Sequence, residues 1–372
     1  MPTIPSKLSM PKRTLLGPGP SNVDPQVLSA MATPLVGHLD PAFLAVMDDV
    51  QSLLRTVFQT QNDWTLAVPG TGTAAMEAAI GNLVEPDDRV LACVHGYFGE
   101  RLALMAERYG AEVTRLSQPW GEVFDPGQIM AALRHSNHKI VTLVHAETST
   151  GALQPGIAEI ARGCHAAGAL LVLDCVTSLG GLELKIDDWG VDVAYSAGQK
   201  CLSAPPGLSP LTVSPGACRV IESRRRPPAV FYLDLFELNR YWGEARAYHH
   251  TAPISTMYGL REALRLAVEE GLAPRYQRHQ TNARLLWDGL ETLGMELFVP
   301  ADRRVPVLTT VRVPAGADEG QLRSALLGDY DIEIAGGFGP LAGQIWRIGL
   351  MGYSSKEANV GLLLTALKAL LS

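Results

Sequence analysis

The sequence predicts an α/β protein in which helices enclose a mainly parallel sheet, followed by a smaller α+β domain. From residue 64 to about residue 200, short apolar runs alternate with helical patterns, and strands that alternate with helices form parallel sheets. Near residue 260 the alternation ends, and two long helical patterns precede a mixture of short strands and helices. We therefore predict an N-terminal arm over residues 1–13, a large domain over 14–270 and a small domain over 271–372.

Four apolar runs of the large domain are interpreted as strands because they are continuous, as in strands that are buried on both faces. These runs are 88–95, 139–147, 169–176 and 191–198. Helical patterns alternate with them over 73–84, 99–110, 125–136 and 156–168. Ligands of open α/β sheets bind where the carboxyl ends of parallel strands meet, so we expect the functional residues in the loops that follow these strands.

The C-terminal part of the chain has a different order of elements. Long helical patterns over 258–272 and 278–295 precede a strand-like run over 306–314 and a helical pattern over 318–330. A Gly-rich segment, a strand-like run and a terminal helical pattern complete the chain, over 335–343, 344–350 and 356–371. Short strands mixed with helices in this order predict an α+β fold.

Composition narrows the class of protein. Of the 372 residues, 47% are apolar and 19% charged, which is enough apolar side chain for a large core. The formal net charge of −7 argues against a surface for nucleic acids or anionic membranes. No apolar run approaches the ~20 residues of a membrane span, and five widely spaced cysteines form no CxxC pair. This usage predicts a reducing, cytoplasmic setting and no metal site.

The stretch "AYSAGQKCLSAPPG" (194–207) places Lys200 just past an apolar run, among glycine, serine and proline. An ε-amine is the side chain that condenses with an aldehyde to form a Schiff base, and the flanking residues would fix its backbone. A surface lysine at the end of a strand is the alternative. Asp174 ends the apolar stretch "ALLVLD". A buried carboxylate needs a partner, such as a protonated pyridine nitrogen, although a helix cap or turn would also account for it.

Three further features follow the other strands. The segment "PGTGT" (69–73) opens a helix and can offer free N–H groups to a phosphate. Phe98 can stack on a flat ring, and His145 and Thr148 in "HAETSTG" can flank a ring hydroxyl. Each of these has a plainer interpretation as a helix cap or a core residue.

Arg347 lies within the strand-like run "QIWRIGL". Its guanidinium can bind a carboxylate through two contacts, although an arginine of an edge strand would simply face water. Taken together, the candidate groups describe an aldehyde on a pyridine ring with a phosphate, beside a substrate that carries a carboxylate. That combination is pyridoxal 5′-phosphate with an amino acid.

The same residues carry a family resemblance that extends from about residue 14 nearly to the end of the chain. The sequence resembles the alanine–glyoxylate and serine–pyruvate aminotransferases, in the class V group of fold-type I pyridoxal-phosphate enzymes. The matching segments include "LLGPGPSNV" (15–23), "PGTGTAAMEAAI" (69–80), "HAETSTGALQP" (145–155), "LLVLDCVTSLGG" (170–181), "YSAGQKCLSAPPG" (195–207), "AYHHTAP" (247–253) and "IEIAGGFGPLAGQIWRIGLMG" (332–352).

The resemblance implies a role for each matching residue. Lys200 would be the Schiff-base lysine, Asp174 would pair with the pyridine nitrogen, and Val176 would pack on one face of the ring. Phe98 stands where close relatives have tryptophan and would still stack on the other face. Thr148 would touch the ring oxygen of the cofactor and lie beside the substrate.

The phosphate and substrate residues are implied in the same way. Thr71, Gly72 and Thr73 would receive the phosphate with Gln199 close by, although many relatives have histidine at the position of Thr73. A homodimer is implied, in which Tyr248 and Thr251 reach the phosphate of the other subunit. Arg347 would bind the α-carboxylate, and Gly19, in the "GPGP" loop, would lie over the substrate.

The resemblance therefore implies an aminotransferase that moves an amino group from alanine or serine to glyoxylate or pyruvate by ping-pong kinetics. A related transaminase with another donor, such as ureidoglycine, 3-hydroxykynurenine or aminoethylphosphonate, is the alternative. A cysteine desulfurase is disfavoured because that chemistry needs a cysteine on a late loop, and the last cysteine is Cys218. A non-catalytic scaffold is disfavoured because Lys200 and Asp174 are both present.

Overall fold

The structure is a computed structural model and describes residues 5–371. Within this range the strands are β1 (Thr14–Leu15), β2 (Trp64–Pro69), β3 (Arg89–Val94), β4 (Glu112–Ser117), β5 (Ile140–Val144), β6 (Ala146–Glu147), β7 (Ala152–Leu153), β8 (Leu170–Asp174), β9 (Val193–Tyr195), β10 (Leu208–Val213), β11 (Leu308–Arg312), β12 (Ile332–Glu333), β13 (Ala335–Gly336) and β14 (Ile345–Gly349).

The helices of the same range are α1 (Pro25–Met31), α2 (Pro41–Phe58), α3 (Gly72–Leu83), α4 (Tyr97–Arg108), α5 (Pro126–Leu133), α6 (Ile157–Ala166), α7 (Ile186–Trp189), α8 (Pro215–Glu222), α9 (Leu235–Trp242), α10 (Ile254–Glu270), α11 (Leu272–Thr292), α12 (Glu319–Asp329) and α13 (Glu357–Leu371). Short 3₁₀ helices occupy Phe231–Leu233, Ala301–Arg303, Gly339–Leu341 and Gly352–Ser354.

A seven-stranded sheet forms the centre of the molecule, with the strand order β2-β10-β9-β8-β5-β3-β4. Strand β10 runs antiparallel to both of its neighbours, and the other pairs of this sheet are parallel. The predicted α/β class with a mainly parallel sheet is therefore confirmed. Because β10 is antiparallel to both β2 and β9, these two strands run in the same direction. The carboxyl ends of β2, β3, β5, β8 and β9 therefore all lie at one edge of the sheet.

Local sequence explains where several helices begin. Helices α1, α2 and α5 each start with an aspartate followed by proline, and the carboxylates of Asp24, Asp40 and Asp125 accept hydrogen bonds from main-chain N–H groups of the first turn. Proline at the first helical position has no N–H to leave unpaired and a φ angle that suits the helix. The Asp-Pro pairs thus fix the entry of these helices.

Several elements differ from the sequence-based expectation, and two of them have a clear physical reason. The run predicted as a strand over 191–198 has only three residues of strand, although Ser196 and Gly198 still donate main-chain hydrogen bonds to β10. Helix α11 begins at Leu272, six residues before the predicted start, directly after Gly271 with its φ of 83°. Its first turns bury Arg275 and His279 instead of apolar residues, so the apolar period that announces a helix is missing there.

A second, smaller core lies outside the central sheet. It packs α11, α12 and α13 against the three-stranded antiparallel sheet β11-β14-β13, with Trp346 and Leu290 fully buried. Leu16 belongs to this second core, and β1 pairs in parallel with β12. The division of the chain at residue 270 stays a prediction, and these contacts argue for grouping residues 14–16 with the second core.

No helix within residues 5–371 combines the length and the apolar character that crossing a membrane would need.

Candidate active site

The loops that follow β2, β3, β5, β8 and β9 come together at one edge of the central sheet. A Cβ atom placed on Gly72, after β2, would lie 3.1 Å from Val176 Cγ2 and 3.2 Å from Ala197 Cβ. The hydroxyl of Thr148 is hydrogen-bonded to that of Thr177. The structure thus brings together loops that the sequence separates by more than 100 residues.

Lys200 lies at the centre of this edge. Its Nζ donates a hydrogen bond to the main-chain oxygen of Pro18, and Ser21 holds the main chain by donating from Oγ to the Lys200 carbonyl at 2.8 Å. Burial lowers the pKa of the amine to about 8, and the positive charge of Arg347 acts in the same direction. A lysine with this pKa is partly neutral near physiological pH, which an amine needs in order to act as a nucleophile or base.

Asp174 ends β8 and is buried. Its Oδ1 accepts from the Val176 N–H and its Oδ2 from the Tyr195 hydroxyl, both at 2.8 Å. Burial raises the pKa of the carboxyl group to about 6, although both hydrogen bonds lower it. The carboxylate forms no salt bridge among residues 5–371, although the positive charge of Lys200 also lowers its pKa.

Glu147 is a buried carboxylate that the sequence-based reasoning did not single out. It accepts hydrogen bonds from the main-chain N–H groups of Phe98 and Gly99 and from both the N–H and the hydroxyl of Ser149. It therefore caps the start of α4 from a strand about 50 residues away. A Cβ atom on Gly96 would lie 2.3 Å from Glu147 Cγ, so glycine at that position is required for the contact.

The N-terminal end of α3 follows β2 and lies at the same edge of the central sheet. Thr71 is the N-cap residue but makes no side-chain capping bond, and Thr73 Oγ1 accepts a hydrogen bond from Arg101 at 3.0 Å. The guanidinium of Arg101 also lies 4.9 Å from the ring centroid of Phe98. Gln199 Oε1 is buried with no hydrogen-bond partner. Arg101 was another residue that the sequence-based reasoning did not select.

Arg347, in β14, is buried and reaches the same edge from the second core. Its Nε donates to the Gly336 carbonyl at 2.7 Å, and one Nη reaches the Thr148 carbonyl at 3.4 Å. Burial lowers its pKa to about 10, whereas the negative charge of Glu147 raises it. The predicted edge-strand alternative is therefore wrong, because β14 is the middle strand of its sheet and Arg347 is covered.

Within residues 5–371, the side chains of His145 and Tyr248 form no hydrogen bond or ring contact with those of Lys200, Asp174 or Arg347. The Nδ1 of His145 is hydrogen-bonded to Ser178 Oγ, its ring meets the edge of Trp189, and burial lowers its pKa to about 4. Tyr248 is exposed, with its ring 5.3 Å from His38, and Thr251 is exposed as well. The role of Tyr248 and Thr251 toward a second subunit stays a prediction.

The chain is similar to known proteins over nearly its whole length. The family model of the class V aminotransferases matches residues 15–357. The chain belongs to this family. A lysine amine, a buried carboxylate and an arginine at one sheet edge are thus features of a class V aminotransferase, and the predicted family and enzyme class are confirmed.

Individual relatives of this aminotransferase are similar over nearly their full length. The (S)-ureidoglycine–glyoxylate transaminase of Bacillus subtilis is 42% identical over 98% of this chain and 92% of the relative. The alanine–glyoxylate aminotransferase of Drosophila melanogaster is 39% identical over 97% and 92%. The crystal structure of an alanine–glyoxylate aminotransferase from Nostoc sp. has a TM-score of 0.98 and 53% identity, covering 100% of this chain and 98% of that one.

A cysteine desulfurase from Thermococcus onnurineus shares only the fold with this aminotransferase, with a TM-score of 0.74 and 14% identity. The five cysteines are unpaired, and burial raises the pKa of each thiol, to about 12 for Cys164, Cys201 and Cys218. A nucleophilic cysteine must be a thiolate, and burial disfavours the thiolate form of all five.

Proposed function

We propose that this class V aminotransferase binds pyridoxal 5′-phosphate and moves an amino group from alanine or serine to glyoxylate or pyruvate. The observation that carries the proposal is the pair formed by Lys200 and Asp174. The amine has a pKa lowered to about 8, and the carboxylate is buried and forms no salt bridge among residues 5–371. Two such groups at one edge match the aldehyde and the ring nitrogen of this cofactor.

The other residues of the edge fit the remaining parts of the same cofactor. Main-chain N–H groups of the first turn of α3 and the guanidinium of Arg101 suit a phosphate. The buried, unpartnered amide of Gln199 can present its donor after rotation about its terminal bond. Gly72 leaves room beside Val176, and Phe98 offers an aromatic face, so the site can enclose a flat ring.

When bound, pyridoxal phosphate supplies an aldehyde that condenses with amines and a ring that withdraws electrons from the α-carbon of the substrate. Lys200 can accept a proton at Nζ and return it, as a general base and then as a general acid, because its amine is partly neutral at pH 7.5. Asp174 stabilises a protonated nitrogen placed beside it. Arg347 has an Nη2 with no hydrogen-bond partner among residues 5–371, which can bind the α-carboxylate.

The choice of acceptor and donor rests on different grounds. The names of the Bacillus subtilis, Drosophila melanogaster and Nostoc sp. relatives all include glyoxylate, which supports glyoxylate as the acceptor. Alanine is favoured as the donor by the Nostoc sp. enzyme, which is 53% identical. Ureidoglycine is the second candidate donor, because the Bacillus subtilis transaminase is 42% identical over nearly the whole chain.

We also propose a homodimer in a reducing compartment, with Tyr248 and Thr251 of each subunit reaching the phosphate of the other. The exposure of large aromatic side chains supports an interface, since Tyr248 and Phe231 are 63% and 75% exposed. The unpaired cysteines support a reducing, cytoplasmic setting.

A panel of donors and acceptors tests the proposed function. The purified protein with pyridoxal phosphate is assayed with alanine, serine and ureidoglycine as donors and with glyoxylate and pyruvate as acceptors. We expect the highest kcat/KM for alanine with glyoxylate, parallel double-reciprocal lines, and no turnover in Lys200→Ala. Turnover with ureidoglycine and none with alanine or serine would replace the proposed donor with the second candidate.

A further inference from the structure

The guanidinium of Arg347 is covered by an aromatic ring from the Gly-rich segment 335–343. The ring centroid of Phe338 lies 3.8 Å from Arg347 Cζ, which is within the range of a strong cation–π contact. The ring of Tyr97, at the start of α4, lies 5.1 Å from that of Phe338. Tyr97 and Phe338 thus form an aromatic wall that joins the two cores beside Arg347.

The backbone on both sides of this wall is fixed. A Cβ atom on Gly337 would lie 2.0 Å from the Leu341 carbonyl oxygen, and the Leu341 N–H donates to the Phe338 carbonyl at 2.9 Å. The Tyr97 N–H donates to Ser149 Oγ at 3.0 Å. Both rings therefore project from anchored main chain.

The face and the edges of the Arg347 guanidinium have different partners. Phe338 covers a face of the guanidinium, and the Nε edge is taken by the Gly336 carbonyl. Nη2 has no hydrogen-bond partner among residues 5–371, and Nη1 has a single long one. A carboxylate binds guanidinium in the plane, through the edge, so the ring leaves the carboxylate site open while it limits the space beside it.

We propose that Phe338, supported by Tyr97, determines the substrate specificity of this enzyme by restricting it to amino and 2-oxo acids with short side chains. This inference rests on the proposed function, which places the substrate carboxylate on Arg347. The ring acts in two ways. It keeps water from one face of the guanidinium, which strengthens the bond to the carboxylate, and it occupies the volume that a longer side chain would need.

Binding of two unreactive carboxylates to the holoenzyme tests the proposal. Propionate represents a short substrate and 3-phenylpropionate a long one, and calorimetric titration gives their dissociation constants. In Phe338→Ala we expect the dissociation constant of propionate to rise about fivefold, because water then reaches the guanidinium and weakens its bond to the carboxylate. The dissociation constant of 3-phenylpropionate should stay unchanged or fall. Kinetically, KM for alanine should rise while kcat is retained.

Phe236→Ala is the matched control, because Phe236 is an aromatic residue of similar exposure, 41% against 37% for Phe338, and lies on α9, which packs on the first core through Leu235 and Leu238. It should leave both dissociation constants as in the wild type. If the ratio of the two constants in Phe338→Ala stays within about twofold of the wild-type ratio, the inference is wrong even when alanine and glyoxylate react. If the ratio shifts but the wild type does not use alanine, serine or ureidoglycine, the proposed donors are wrong, whereas the effect of Phe338 on carboxylates bound at Arg347 is supported.

Discussion

Gly19 lies directly against the side chain of Lys200. A Cβ atom at Gly19 would be 2.7 Å from Lys200 Nζ and 2.6 Å from its Cδ, and the φ angle of Gly19 is 108°. Lys200 Nζ also donates a hydrogen bond to the carbonyl of Pro18, which belongs to the same loop. The N-terminal loop 17–20 therefore covers the amine and leaves no room for a side chain.

Gly19→Ala should impair the enzyme without unfolding it. A non-glycine residue at this φ costs about 1–3 kcal/mol, and its methyl group would displace the amine, so we expect kcat/KM to fall about tenfold or more. Gly37→Ala is the control, because nothing lies within 4 Å of a Cβ atom there. Steady-state kinetics and a melting curve measure both variants. Full activity of Gly19→Ala would contradict the described position of the loop.

Lys200 should titrate well below an ordinary lysine in the cofactor-free protein. Burial and the charge of Arg347 lower its pKa from 10.5 to about 8. Brief acetylation at a series of pH values, followed by peptide mapping, should therefore show a midpoint near pH 8. The rate at the exposed Lys12 serves as the reference. Arg347→Met should move the midpoint upward, and an unmoved midpoint would show that the two charges do not interact.

Asp174→Asn should stabilise the cofactor-free protein while it impairs catalysis. Burial raises the pKa of the carboxyl from 3.8 to about 6. The folded state therefore binds more protons than the unfolded state between these values, and stability falls as pH rises through that window. At pH 7.5 the buried charge is fully present, and its removal should raise the free energy of unfolding by about 1–3 kcal/mol.

The gain from Asp174→Asn should disappear near pH 4, where the native carboxyl is protonated as well. Urea unfolding at pH 4, 5.5 and 7.5 measures it, with the exposed Asp188→Asn as the control. A stability difference that is independent of pH would show that the carboxylate carries no burial cost.

Glu147→Ala should destabilise the protein far more than Glu147→Gln. Alanine leaves the buried N–H groups of Phe98 and Gly99 without an acceptor, and each such group costs about 1–3 kcal/mol. Glutamine keeps one carbonyl oxygen, which can accept from Phe98 and Gly99, although its NH2 group cannot accept from the Ser149 N–H. Urea unfolding and the dissociation constant of pyridoxal phosphate measure the effect. The exposed Glu159→Gln is the control, and equal stability of the Glu147 variants would exclude a capping role.

Much of the candidate site could be predicted from the sequence, because its residues lie at or after the ends of strands that are neighbours in the central sheet. Asp174 and Thr148 come directly after apolar runs, and Lys200 comes after the run that contains β9. The rule that parallel strands end at a common edge then places them together. The fold class could also be predicted, because strands and helices are recognised from the pattern of apolar residues within short segments of the chain.

The features that escaped prediction depend on contacts between distant parts of the chain. Nothing in "HAETSTG" shows that Glu147 caps a helix about 50 residues earlier, and nothing near Arg101 shows that it meets Thr73. The early start of α11 was missed because Arg275 is buried through bonds to the carbonyls of Gly180 and Cys201, and periodicity counts only apolar residues. Such long-range partners are fixed by tertiary packing.

The pairing of β1 with β12 connects the loop 17–20, which covers Lys200, to the core that carries Arg347. Residues 14–16 are part of the core that carries Arg347, and three residues later Gly19 rests on the amine. If the second core rocks against the first, the strand that leads into the loop moves together with the arginine. Release of the product carboxylate from Arg347 would then be coupled to movement of the loop away from the Lys200 amine. Product release and substrate entry would thus depend on one motion.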